Sequence, residues 1–519
     1  MDDPARRTSD ECTFGDRPDR RDLTIDPLNP CMSLGAMYAA FGIHRAMPLS
    51  HGASGCVRFQ RMEIARHFQR VLHVPSTMLD DRAAMYGGED DVREAVANVF
   101  RLYDPETIVL FTTCLSETIG DDMQGIVDRL DVPEGKRVVW VSTPSYTGSH
   151  LAGYGACVAA MIGQLACPLR QEAPLSRLDA HPARSDAWLS QSEVHSPCSE
   201  TWSDRGDADS GGVNTCGLRG DRALLVPGWC DPADVEAIEE LVAPFFADTI
   251  VLPDIRDVYD VRPSDAADVY PLGGTPLRRI EEVASYGFGL FIGIEATKAA
   301  ARAFEEASPR ARIVRSALPI GVTASDAIVK AAHEMSGRVV PGRIAEQRRR
   351  AVEALMSQAD LLYGKRAMVI CDADAACGLA GFLVDAGMVP ACVVAGDTAS
   401  DFEERLQGCI ASASEERSAA NVLPCAVLAS SDRLDAEEWL AAHPVDIILG
   451  DSRNKRLAAR AGVPLARVGF PNTDRPLSFI DSYMGYRGTI RLLRDIAGAL
   501  IEAKEASLEP HELPIARYF

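Results

Sequence analysis

No stretch of the 519 residues is long and apolar enough to cross a bilayer. The nearest candidate, 152–167, falls short of the roughly 20 apolar residues a membrane helix needs. It also contains three glycines and a glutamine. A basic excess is missing too: 53 Lys and Arg stand against 75 Asp and Glu, a formal net charge of −22. Nucleic-acid phosphates demand the opposite sign, so no nucleic-acid partner is expected. The opening MDDPARRTSDECTFGDRPDRRD has no apolar core of the kind a secretory signal needs. The 14 cysteines lack the dense, regular spacing of a small disulfide scaffold. The ten histidines show no paired metal spacing. These absences together predict a cytoplasmic protein whose thiols stay reduced and available to metal.

What is present is an α/β pattern long enough for several domains. Residues 1–26 are charged and poor in large apolar groups, the composition of a mobile tail. From there, β-branched runs alternate with helical stretches: TIVLFTT (107–113), a helix over 121–130, then RVVWVST (137–143). The rhythm stops over 169–221, a Ser-, Asp-, Gly- and Pro-rich stretch that reads as an inserted polar loop. Its Cys198 and Cys216 have no accompanying metal-type spacing. Strands resume at 223–228, 248–253, 289–293 and 312–319, and a helical region over 324–362 is interrupted near Pro341. A last block carries strands at 364–372, 389–396, 422–429, 445–451 and 464–470, then a closing helix over 488–506. The expected organisation is three doubly wound, Rossmann-like domains with parallel sheets, over 27–168, 222–362 and 363–519.

Three cysteines stand apart by position. Cys31 precedes a helix in NPCMSLGAMYAAFGI, Cys56 follows a glycine-rich turn in SHGASGC, and Cys114 ends the strand VLFTTC. Ligands of open parallel sheets gather at the carboxyl ends of strands, where Cys114 falls. Thiolates are the preferred ligands of iron–sulfur clusters, and a helix start favours the thiolate form. Three buried thiols packing as small apolar groups would give the same spacing.

The order of motifs is more specific than the spacing. PLNPCMSLGAMYAAFGIHRAMPLSHGASGC, TTCLSETIGDD, STPSYTGSH and RVGFPNTDR…MGYRGT resemble, in sequence order, signatures of the nitrogenase component 1 β-type subunits. The resemblance runs from about residue 26 onward, except over 169–221. It implies the nitrogenase component 1 fold. It also implies that Cys31, Cys56 and Cys114 ligate an [8Fe-7S] P-cluster shared with an α-type subunit in an α2β2 heterotetramer. Ser145, in the TPS motif, matches a serine that can add a further iron ligand; a turn or helix-cap serine is the plainer role. Tyr86 in AAMYGGEDD matches the face on which an ATP-dependent iron protein docks. The substrate-reducing metal cofactor belongs to the partner subunit, so no catalytic residue is expected here.

Other residues invite plainer readings. His51 and His150 suit structural histidines, PLGGT (271–275) a tight turn, and EQRRRAVEALM (346–356) a solvated helix face. A cofactor-assembly scaffold subunit is similar around GFPNTDR but tends to lack cysteines matching Cys31 and Cys114. A dark-operative chlorophyll-pathway reductase subunit uses a different ligand set. Departures from dinitrogen-reducing β subunits occur at Asn472 and Thr473 and over 169–221. They suggest a divergent branch acting on carbon–sulfur bonds, the methylthio-alkane reductases, with dinitrogen reduction as the alternative.

Overall fold

Six consecutive buried residues, Thr107–Thr112, form the central strand of the first sheet. A strand covered on both faces by helices needs such an unbroken apolar run. The computed structural model describes residues 25–70, 72–166, 219–258, 269–396, 398–415 and 425–508. Residues 1–24, Cys198, Cys216 and most of the expected 169–221 insertion lie outside the described residues.

The first sheet is parallel, β1 (Ala46–His51), β2 (Thr107–Thr112) and β3 (Arg137–Val141), in that spatial order. Its helices are α1 (Met32–Phe41), α2 (Ser54–Phe68), α3 (Asp81–Tyr86), α4 (Glu89–Tyr103), α5 (Cys114–Ile119), α6 (Met123–Asp128) and α7 (His150–Leu165). The second sheet holds β4 (Arg219–Val226), β5 (Asp248–Val251), β6 (Tyr286–Ile292) and β7 (Arg312–Ser316), ordered β5-β4-β6-β7. β4 starts at Arg219, inside the stretch expected to be an insertion. The third sheet holds β8 (Arg366–Cys371), β9 (Val389–Ala395), β10 (Ala426–Leu428), β11 (Ile447–Gly450) and β12 (Leu465–Arg467). Its order, β10-β9-β8-β11-β12, reverses direction between β8 and β11, as a doubly wound sheet does. Every pairing within the three sheets is parallel.

The three units share one core. α7 packs against α1 and against the helix Ile294–Ala307 of the second unit, and its apolar stretch spends itself there, inside the protein. No described helix is long and apolar enough to cross a membrane. The helical connection breaks as expected: one helix ends at Ser336 before Gly337 (φ 70°), and the next starts at Gly342 with Pro341 as its cap. The segment 271–275 departs from a simple turn. Thr275 pairs with Ile43 of the first unit, donating its N–H to the Gly42 carbonyl at 2.8 Å, and so joins two units.

A candidate cluster face built from three helix starts

Cys31, Cys56 and Cys114 reach one face from three separate helices. Cys31 is the extended N-cap of α1, Cys56 the third residue of α2, and Cys114 the first residue of α5. Parallel pairing sets His51, at the end of β1, opposite Thr112, at the end of β2, so α2 and α5 leave from the same sheet edge. Gly52 permits the close approach, since a Cβ there would lie 2.1 Å from the Thr113 hydroxyl oxygen. Cys31 is brought in by the crossing of α1 and α7. A Cβ on Gly35 would lie 1.8 Å from the His150 carbonyl oxygen, and one on Gly153 would lie 1.7 Å from that of Met32. Only glycine at both positions lets the backbones touch.

The segment leading into Cys31 is latched to the third unit. Asp432 accepts the N–H groups of Ile25 (2.7 Å) and Asp26 (3.2 Å). Arg433 donates to the Asp26 carboxylate at 2.7 Å and the Pro27 carbonyl at 3.0 Å, and Arg453 to the Leu28 carbonyl at 2.6 Å. Ile25 and Asp26, placed in the tail by sequence, are therefore held. Beyond the latch, Cys31 bridges Ser149, and the His150 N–H donates to the Pro30 carbonyl at 3.1 Å.

Ser145 lies between two of the thiols. Its N–H donates to the Cys114 sulfur at 3.3 Å, its Oγ accepts the Met32 N–H at 3.1 Å, and its side chain hydrogen-bonds Cys31. It therefore also caps α1, the plainer role expected for it. Although Cys31 is exposed overall, partial removal from water pushes its thiol up; the Ser145 bond partly offsets this and the Cys114 charge adds to it. Burial likewise raises Cys56, followed by the charges of Cys31 and Cys114. The expected lowering by helix starts is thus reversed for these two thiols. Removal from water disfavours the charged form of both.

The donor set suits an iron–sulfur group. The thiols act on one another as charges, so as thiolates they need a cationic centre facing them. Among the described residues no three His, Cys, Asp or Glu side chains, these thiols included, are close enough to hold a single metal ion. Cys31 is exposed, Cys56 and Cys114 are half-buried, and a Cβ on Gly55 would meet open space. Among the described residues the face is therefore left uncovered.

Tyr86 ends α3 and is 80% exposed, beside the equally open Met85. The turn after it is tethered: Asp121 accepts the Gly88 N–H at 2.9 Å and, through its other oxygen, bonds His51 Nε2 at 2.9 Å. Thr77 bonds the other His51 nitrogen at 3.1 Å, so His51 is fully partnered. His150 is different: it is buried against the Trp229 ring, with Nδ1 lacking a partner.

Sequence reasoning passed over the latch residues Asp432, Arg433 and Arg453. The order of motifs could not reveal them, because their partners lie more than 400 residues away.

A family model described as nitrogenase component 1 type oxidoreductase matches residues 31–501. The chain belongs to that family. Among relatives of this nitrogenase component 1 chain is a nitrogenase molybdenum-iron protein beta chain of Clostridium pasteurianum. It is 28% identical over 505 residues, covering 96% of this chain and 98% of that one. The beta chain of Methanothermobacter marburgensis is 29% identical over 498 residues, covering 93% and 95%. A solved structure, nitrogenase Cp1 at pH 6.5, matches with a TM-score of 0.82 and 27% identity over 96% of this chain and 97% of that one. The family and these relatives establish a β-type member with the expected α/β fold.

Proposed function

We propose that this chain is the β-type subunit of a nitrogenase-like two-component reductase, relaying electrons toward a metal cofactor held by an α-type partner. Cys31, Cys56 and Cys114 would each give one thiolate to a P-cluster completed by the partner in a cytoplasmic α2β2 assembly. When bound, such a cluster supplies one-electron storage and release at the interface. The chain's own task is to fix and tune its ligands. The Ser145 N–H, donating to the Cys114 sulfur, withdraws electron density from it. Ser145 Oγ is the candidate further ligand, a role that requires its proton to leave. Tyr86 is the candidate anchor for an ATP-dependent iron protein, its exposed ring suited to a docking contact.

The observation carrying this reading is the convergence of three thiols, from three helix starts, on a face that the described residues leave open. For the substrate we favour reductive carbon–sulfur cleavage of methylthio-alkanes, on the departures at Asn472, Thr473 and 169–221. A dinitrogen-reducing complex is the second reading, favoured by relatives named as molybdenum-iron protein beta chains.

The test is anaerobic co-purification with the partner, metal analysis per heterodimer, and turnover with the iron protein, ATP and either dimethyl sulfide or dinitrogen. Methanethiol release supports the first substrate reading and ammonia the second. Absence of both products points to an assembly scaffold. Cys56→Ala should strip iron from the heterodimer, and an unchanged iron count would sink the electron-relay reading itself.

A further inference from the structure

Away from the cluster face, two thiols meet in the third unit. Cys377 belongs to the helix Ala373–Asp385 and Cys409 to the helix Phe402–Glu415, and these helices pack side by side. Gly381, one turn beyond Cys377, allows the close approach. A Cβ there would lie 3.4 Å from the Cys409 carbonyl oxygen and 3.9 Å from the Cys409 Cβ. The two sulfurs lie within hydrogen-bond reach of each other. Arg405, one turn before Cys409, acts on both sulfurs. Glu295 (3.0 Å), Asp401 (3.4 Å) and Asp374 (3.5 Å) hold its guanidinium in place. Cys377 is buried, Cys409 is half-buried, and both are free thiols.

Burial pushes the thiols of Cys157, Cys230, Cys371, Cys392 and Cys425 up, which keeps them protonated and inert. Cys409 goes the other way. The Cys377 hydrogen bond lowers it against burial, and Arg405 lowers it further.

We propose that Cys377 and Cys409 form a redox-modification site, a facing dithiol that small-molecule disulfides oxidise to a bond stapling the two helices. Cys409, reachable from solvent, is the attacking thiolate. Its sulfur bonds to one sulfur of the incoming disulfide, whose S–S bond breaks, and the first leaving thiolate takes a proton from solvent. Cys377 then loses its proton and attacks the Cys409 sulfur, expelling the second small thiol. Two protein thiols are oxidised by two electrons, and one external disulfide is reduced to two thiols. The site is independent of the P-cluster reading, since none of its residues faces Cys31, Cys56 or Cys114.

The full chain, purified anaerobically with its partner, is equilibrated with mixtures of oxidised and reduced glutathione, then alkylated and digested without reduction. The expected product is a Cys377–Cys409 cross-linked peptide, two hydrogens lighter, that grows with the oxidised fraction and vanishes with dithiothreitol. Cys377→Ser should trap glutathione on Cys409 without a cross-link, and Cys409→Ser should leave Cys377 unmodified. An unreacted Cys409 in the unaltered chain overturns the proposal. So does a lasting glutathione adduct beside a still-alkylatable Cys377. Should either variant fail to fold, alkylation rates in the unaltered chain decide. Cys409 must react at least about 10-fold faster than Cys371, and equal rates refute the assignment.

Discussion

Gly153→Ala tests the crossing that places Cys31. The added methyl would lie 1.7 Å from the Met32 carbonyl oxygen, where ordinary contact begins near 3.4 Å. Backbone stands on both sides of this clash, so no side chain can rotate away and α1 must move. Overpacking a core costs about 1–3 kcal/mol, and a rigid backbone partner sets the expectation at about 3 kcal/mol. The same helix supplies its own control. A Cβ on Gly163 meets nothing within 4 Å, so Gly163→Ala should gain about 0.5–1 kcal/mol from helix propensity alone. Thermal melts followed by circular dichroism should therefore place the Gly153→Ala midpoint about 3–4 °C below that of Gly163→Ala. Because Met32 follows Cys31, the shift should also lower the iron retained per heterodimer in Gly153→Ala and not in Gly163→Ala. Equal midpoints would refute the close crossing. A lowered midpoint with full iron would refute its link to Cys31.

Asp432→Ala removes the acceptor for the Ile25 and Asp26 amides and the cap of the helix Arg433–Ala442, costing about 1–2 kcal/mol. Limited proteolysis should then cut the segment before Cys31 faster, and unchanged protection would count against the latch. Burial holds His150 down at about 3 from its ordinary 6.5. Between those values the unfolded chain takes up a proton that the folded chain refuses, so stability falls as pH falls. From pH 6.5 to 5 the loss is about 2 kcal/mol, and it should shrink in His150→Gln when urea midpoints are compared at the two pH values. His67→Ala leaves the buried Asn472 N–H and the Asp231 carboxylate without their shared partner, at a cost of about 2–4 kcal/mol. Asn472→Leu removes a buried carbonyl oxygen lacking any partner together with the amide that donates to the Gly469 carbonyl at 2.9 Å, so its net cost should be smaller, about 1 kcal/mol; similar losses in the two variants would contradict this ordering.

The sheets were legible wherever a strand is an unbroken apolar run. TIVLFT, RAMVIC and VPACVVA all fall where their β-branched composition puts them. β1 was not legible. AMPLSH is buried at all six positions, yet Pro48, Ser50 and His51 break the apolar pattern. It is an edge strand, where proline is tolerated, and its polar groups serve the turns that follow. The cysteines could be singled out because each opens a helix, a local feature. Their shared face could not, because it is made by glycine crossings and by a latch between residues 25–28 and 432–453. The effect of burial on the thiols was also beyond reach, since burial belongs to the packed protein and not to any motif.

Asn472 and Thr473 sit where the three units meet. The Asn472 N–H donates to His67 Nδ1 at 2.9 Å, so that nitrogen is unprotonated and the ring's proton sits on Nε2, facing Asp231 at 2.9 Å. Thr473 donates its N–H to Ser452 Oγ at 2.8 Å, and Ser452 in turn donates to the Pro471 carbonyl at 2.9 Å. One chain of bonds thus joins α2 of the first unit, the Asp231 cap in the second and the loop after β12 in the third. Changes at this three-way junction alter how the first unit, which carries Cys31, Cys56 and Cys114, is held to the other two. The backbone bonds there would form with almost any side chain, so what these two residues add of their own is the Asn472 amide donating to the Gly469 carbonyl at 2.9 Å and the Thr473 hydroxyl meeting Ser452 Oγ at 3.1 Å, which fix the loop after β12.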